Sequence, residues 1–201
     1  MLSLNRKIVQ SSQKAKQGIW SREEFQGFQL FGKTLGIIGL GRLGKISAQI
    51  GNGFGMKIIA NDIKKFNKKN YIKMVSLERL IKTSDIITIH IHLNKTTENL
   101  INYDVFKNMK KSAFLINTSR GKIINENDLI KALKNKLIRG AGLDVIDGEW
   151  LDDATRKKHK LITYARNNSN LLITPHIGGA TKESIYYSRV FMAKKIARLI
   201  K

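Results

Sequence analysis

Thr34-Leu35-Gly36-Ile37-Ile38-Gly39-Leu40-Gly41-Arg42-Leu43-Gly44 is the stretch on which the fold turns. An apolar run, Thr34–Gly39, predicts a strand, and the pattern after the glycines predicts a helix over Leu43–Gly53. Gly39 permits a tight turn, Gly41 lets backbone approach a pyrophosphate, and Gly44 lets the helix close on the strand. The helix start then offers N–H groups and about half a positive charge to the phosphates. Glycine-rich turns also arise by chance, so context decides. The next strand is Lys57–Asn61, and Asp62 follows it. An acid there accepts hydrogen bonds from the adenosine ribose and repels a 2′-phosphate, which predicts NAD over NADP. Lys64 and Lys65 pull the other way. The competing reading is a surface turn beside a solvated Asp.

Outward from this unit the alternation continues. Ile86–Ile91, Ala113–Thr118, Gly140–Val145 and Leu171–Thr174 are short apolar runs without polar alternation, as expected of strands covered on both faces. Helical patterns lie at Ser76–Thr83, Tyr103–Met109, Asn127–Lys136 and Lys182–Ile200. The order predicts an α/β protein, a doubly wound parallel sheet. Asn125 is placed to cap the helix bearing Leu129, Ile130 and Leu133, with Glu126 and Asp128 at its positive end. Pro175, the single proline, ends a strand because it has no N–H for a ladder. Glu149–Asn170 is charged and irregular, and reads as a long loop with one helical turn.

With 201 residues, 42% of them hydrophobic, the chain can bury a core. No apolar run reaches the roughly 18 residues of a membrane span. The absence of cysteine removes disulfides and thiolate metal sites, and with only four histidines a metal centre is not expected. Residues Met1 to Arg22 carry no acid but only two arginines, Arg6 and Arg22; they read as an amphipathic surface helix rather than a targeting segment, and the expected location is cytoplasmic. The formal charge of +22 allows a nucleic-acid binder. However, the lysines are scattered and only 7% of residues are aromatic, so biased composition explains the charge better and nucleic acid is not the expected partner.

Three distant segments carry chemistry: Leu115-Ile116-Asn117-Thr118-Ser119-Arg120-Gly121; Gly140-Ala141-Gly142-Leu143-Asp144-Val145 with Ile146-Asp147-Gly148-Glu149; and Ile173-Thr174-Pro175-His176-Ile177-Gly178-Gly179-Ala180-Thr181. Arg120, Glu149 and His176 each fall at or beyond the carboxyl end of a predicted strand, where ligands of parallel sheets gather. A guanidinium fork suits a carboxylate, and an imidazole paired with an acid suits proton transfer near neutral pH. His90 and His92 alternate at a strand end and read as structural.

From about Gly27 to Thr181 these segments resemble the D-isomer-specific 2-hydroxyacid dehydrogenases, which include phosphoglycerate, glycerate and D-lactate dehydrogenases. The resemblance implies a Rossmann domain that transfers hydride between NAD(H) and a 2-hydroxy or 2-keto acid. It assigns Arg120 to the substrate carboxylate, Glu149 to orienting and charging the histidine, and His176 to proton exchange with the substrate oxygen. Nicotinamide-side contacts carry over to Thr118, Ser119, Arg120, Asp144, His176, Ile177, Gly178 and Gly179. Around the pyrophosphate and adenosine they carry over to Gly39, Gly41, Arg42, Leu43, Gly44, Asp62 and, at one further cofactor position, Thr97.

Three departures are expected to matter. His92 stands where the family has proline, which predicts a looser turn beside the adenosine. Trp150 replaces the proline after the acid, and the basic loop behind it predicts a shift of Glu149 relative to His176. Finally, most of the family's substrate domain has no counterpart, so the expected division is a connecting helix and linker over 1–26, an NAD-binding domain over 27–181 and a returning helix over 182–201. A homodimer through the NAD domain, and a substrate domain supplied by another chain or segment, follow from the resemblance. The alternatives are an NAD-holding module with little turnover and the nucleic-acid binder.

Overall fold

A computed structural model describes residues 1–64 and 69–200; Lys65 and Lys201 lie outside the described residues. In chain order the elements are α1 (Leu2–Asn5), α2 (Ile8–Lys16), β1 (Thr34–Ile38), α3 (Arg42–Gly53), β2 (Lys57–Asn61), β3 (Ile72–Met74), α4 (Leu77–Thr83), β4 (Ile86–Ile89), α5 (Tyr103–Asn108), β5 (Phe114–Asn117), a 3₁₀ turn (Gly121–Ile123), α6 (Glu126–Lys134), β6 (Gly140–Leu143), α7 (Asp153–Lys157), α8 (Lys160–Asn167), β7 (Leu171–Ile173) and α9 (Lys182–Leu199). The strands form one sheet in the order β3-β2-β1-β4-β5-β6-β7. Every pairing is parallel. The chain reverses its winding direction between β1 and β4, which opens a crevice at their carboxyl ends.

Alternate residues of the central strands feed two cores. Leu35 and Ile37 of β1 join Ala48 of α3 and Leu4 of α1 on one face. Ile38, with Ile87 and Ile89 of β4, joins Leu80, Phe106, Leu129 and Leu133 on the other. Burial on both faces is why these strands show no polar alternation. Leu4 thus belongs to the same core as the first strand. The surface helix expected at the start is broken at Lys7 (φ 49°) into α1 and α2, and only α1 carries buried residues.

Two further expectations are corrected. The sheet has an additional edge strand, β3, three residues long and interrupted by Lys73, too short for period two to stand out. The stretch read as a loop holds α7 and α8. Asp152 caps α7 by accepting from the Thr155 amide, and Leu161 and Tyr164 anchor α8 in the core. Their spacing is helical, but surrounding lysines dilute the pattern. The Asn125 cap forms as expected, accepting from the Asp128 amide at 3.1 Å.

Leu161 is fully buried. Leu161→Ala should therefore cost about 2–5 kcal/mol in urea unfolding; a change under about 0.5 kcal/mol would show that α8 is not part of the core.

Candidate functional site

The glycine turn is built as its spacing requires. Gly39 has φ +92°, and a Cβ there would strike the His90 carbonyl and Ile91. A Cβ at Gly44 would strike the Gly39 carbonyl, so α3 closes directly on the turn. Gly41 is different: a Cβ there would meet nothing within 4 Å. Gly41 is also the N-cap of α3, and no side chain caps that helix. The bare cap leaves open space at a positive helix end, the shape and charge that a pyrophosphate needs. Arg42 and Leu43 open this first turn, and Leu43 is exposed.

Asp62 sits just beyond β2 and holds the turn from the side. Its Oδ2 accepts from the Leu40 amide at 2.7 Å and its Oδ1 from the Lys64 amide at 2.8 Å. Each carboxylate oxygen keeps a lone pair for a further donor. His90 closes the floor: Nε2 lies 2.9 Å from Ser47 Oγ on α3 and 3.1 Å from Thr88 Oγ1. Burial lowers its pKa and so favours the neutral ring. The turn near His92 is not loose. Thr97 Oγ1 donates to the His92 carbonyl at 2.7 Å and accepts from the Asn94 amide at 2.8 Å. The Thr97 hydroxyl is thereby committed to its own turn.

At the other end of the sheet, Asp144 follows β6 and is buried. Its Oδ1 accepts from Thr174 Oγ1 at 2.5 Å and from the Ile177 amide at 2.9 Å, while Oδ2 accepts from the Gly178 amide at 2.7 Å. Burial opposes ionisation, but these bonds and the nearby His176 outweigh it and hold the carboxyl below the ordinary carboxylate range. Thr174, which the sequence reading passed over, is part of this anchor. Gly178 is tight, since a Cβ there would lie 2.9 Å from Asp144 Oδ2. Gly179 has open space around it.

The anchored loop carries His176 with a left-handed backbone, φ 54°. Such a conformation costs a non-glycine residue on the order of 1–3 kcal/mol and needs support from its surroundings. Nδ1 lies 2.9 Å from Glu149 Oε1. An ionised carboxylate only accepts, so Nδ1 carries the hydrogen and Nε2 is left for another group. The expected displacement of Glu149 by Trp150 and the following segment does not occur. Instead Trp150, 85% exposed, stands with its ring centroid 5.8 Å from that of His176. His176, Glu149, Asp144 and Trp150 line a cavity of about 1050 Å³, together with Val9 of α2 and Ile162 of α8.

Arg120 lies beyond β5, exposed, with Nη1 donating to the Ser119 carbonyl at 2.6 Å. Ser119 Oγ donates to the Ile89 carbonyl at 2.7 Å, and Thr118 is exposed. The geometry thus pairs His176 with Glu149 and ties the loop around His176 to Asp144; Arg120, Thr118 and Ser119 follow β5, the strand beside β6, and are not among the residues that line the cavity.

Residues 1–178 match the family model described as D-isomer specific 2-hydroxyacid dehydrogenase, NAD binding domain. The chain belongs to this family. The NAD-binding domain is 39% identical to a glyoxylate reductase of Thermococcus litoralis, over 98% of this chain and 59% of that protein. To a D-3-phosphoglycerate dehydrogenase of Methanocaldococcus jannaschii it is 35% identical, over 100% and 37%. Its fold matches that of D-lactate dehydrogenase from Aquifex aeolicus, complexed with NAD and lactic acid, with a TM-score of 0.89, 31% identity, and 99% and 63% coverage. The chain thus spans less than two thirds of the length of these relatives. NAD is the cofactor of this domain, and the bare Gly41 cap with its open space fits that dinucleotide.

A carboxyl whose pKa is lower folded than unfolded contributes stability that is complete above the unfolded value and drains away as pH falls through the folded one. Asp144 is in that class. Asp144→Asn should lower stability at pH 7 and flatten the acid limb of a pH–stability curve below about pH 4; an unchanged limb would remove Asp144 as the anchor.

Proposed function

We propose that the chain is the cofactor-binding and proton-transferring part of an NAD-dependent 2-hydroxyacid dehydrogenase. The observation that supports this best is the His176–Glu149 pair, 2.9 Å apart and opening on the cavity beside the Asp144 anchor. Residues 27–181 form the binding unit in this reading, with 1–26 and 182–201 as flanking pieces.

Gly39, Gly41, Arg42, Leu43 and Gly44 hold the pyrophosphate, and Asp62 the adenosine ribose. Thr118, Ser119, Asp144 and the segment His176, Ile177, Gly178 and Gly179 border the nicotinamide; Thr97 lends only backbone and shape. When bound, the nicotinamide supplies or accepts a hydride. Arg120 pairs bidentately with the carboxylate of a small 2-keto or 2-hydroxy acid. His176 gives its Nε2 proton to the carbonyl oxygen during reduction and takes it back from the hydroxyl in oxidation. Glu149 fixes the ring through Nδ1 and favours the imidazolium that donates. Trp150 shields one side of the ring from water.

Two copies pairing through this domain are part of the proposal. Exposed Leu43, Ile46 and Ile50 lie at helical spacing along α3 and supply an apolar stripe for such a contact. Sedimentation equilibrium should find a dimer, and a monomer throughout the micromolar range would reject it. A cytoplasmic setting is likewise proposed; among the described residues no helix is long and apolar enough to cross a membrane.

A second reading, an NAD-binding module with little turnover, draws on the exposure of Arg120 and Thr118, since solvent weakens a guanidinium–carboxylate pair. Titration with NADH and assays on glyoxylate, hydroxypyruvate, pyruvate and phosphohydroxypyruvate separate the two. Saturable binding with turnover, reduced about 10²–10⁴-fold in His176→Asn, is expected. Binding without turnover would favour the module, and no binding would reject both.

A further inference from the structure

Glu126 is the first residue of α6, and its position marks it as an ordinary partner of the helix dipole. The structure does something else with it. Glu126 is only 5% exposed, and its Oε1 accepts from the Asp147 amide at 2.8 Å, two residues before Glu149. Its Oε2 is buried too, 3.3 Å from His159 Nε2 and 3.6 Å from Lys160 Nζ, but hydrogen-bonded to neither. A buried carboxylate persists only where bonds and opposite charge compensate its lost hydration. Here one oxygen is bonded to the Glu149 loop, and the other is balanced by the start of α8.

A second contact acts at the same place. Gly121, next to Arg120, presses on the peptide between Ile146 and Asp147; a Cβ at Gly121 would collide with the Ile146 carbonyl and the Asp147 nitrogen. The Arg120 turn and the Glu149 loop therefore touch backbone to backbone, and the Glu126 carboxylate closes the joint from behind. Nothing else in the proton-transfer geometry uses Glu126, His159 or Lys160.

We propose that Glu126 is a positioning residue: it latches the Glu149 loop against the Arg120 turn and so sets the spacing of the guanidinium from the Glu149–His176 pair. Lys160 balances its charge and the His159 ring packs beside it, which makes the α7–α8 segment part of the support of the site. The latch rests on the reading of Arg120, Glu149 and His176 given above. It predicts that damage at Glu126 spreads to substrate handling and spares the dinucleotide turn, which lies on other strands.

The test uses the full chain with Glu126→Ala and Glu126→Gln, reading amide exchange by NMR, NADH affinity, and kcat and KM for the keto acid that the wild type reduces. Glu126→Ala should speed exchange of the Asp147 amide at least tenfold. It should lower kcat/KM at least tenfold, through kcat and KM together, with NADH affinity within twofold. Glu126→Gln keeps an acceptor for the Asp147 amide and should recover most of both losses. An Asp147 amide as protected as in the wild type in a folded Glu126→Ala chain would overturn the latch, as would a loss of NADH affinity equal to the loss of turnover. If Glu126→Ala does not fold, His159→Asn takes its place: the Leu161 amide donates to His159 Nδ1 at 3.3 Å, and asparagine keeps an acceptor there while removing the ring beside Oε2. It should speed Asp147 exchange several-fold, and no change would overturn the proposal. A wild type that binds NADH without turnover would sink the dehydrogenase reading, and Asp147 exchange would still decide the latch.

Discussion

The site depends on one buried carboxylate. Asp144 leaves the end of β6 and takes three hydrogen bonds from the far side of β7, at Thr174, Ile177 and Gly178. Hydrogen bonds to a charged group are worth about 1.5–3 kcal/mol each, against about 1–3 kcal/mol for holding His176 in a left-handed conformation. The anchor wins. It fixes the loop from both flanks, and the imidazole it carries is turned to meet Glu149 rather than solvent. Proton transfer needs a ring held in one tautomer and one orientation, and that requirement is met by bonds inside this single domain.

Sheet topology does the rest of the gathering. All strands run parallel, so the loops after β1, β2, β4, β5, β6 and β7 open on one edge. The glycine turn after β1 and the histidine loop after β7 lie far apart in sequence, yet both belong to that edge. Between them the loops are stitched laterally: Asp62 to the Leu40 amide, Ser119 to the Ile89 carbonyl, Glu126 to the Asp147 amide. A dinucleotide is long enough to need an extended row of positions, and such stitching keeps the row in register without any side chain reaching across it.

Most of the fold was legible because strands buried on both faces leave unbroken apolar runs, as at Thr34–Ile38 and Ile86–Ile89. Glycine spacing gave the dinucleotide turn, since Gly39 and Gly44 are required by backbone collisions that any such turn must avoid. Edge strand β3 stayed hidden because three residues are too few for a period. Helix α8 stayed hidden because its two anchors, Leu161 and Tyr164, stand among lysines and asparagines. At the site, Arg120, Glu149 and His176 were readable as residue types near strand ends, together with their family resemblance. Thr174 and Glu126 were not. Their importance comes from which backbone amide or carboxylate they meet, and sequence spacing holds no record of that. The expected loosening at His92 and shift at Glu149 do not occur: Thr97 bonds across the His92 turn, and Glu149 meets His176 at 2.9 Å.

The chain matches relatives over less than two thirds of their length, yet the acid–imidazole pair is complete within it. The central claim is that this loop is held before any ligand arrives. Hydrogen exchange of the Ile177 and Gly178 amides in the ligand-free chain tests it most directly. Protection comparable to that of the adjoining strand amides is the result this account predicts. Exchange at the rate of an unstructured loop would mean that Asp144 does not hold His176 in place, and would contradict it.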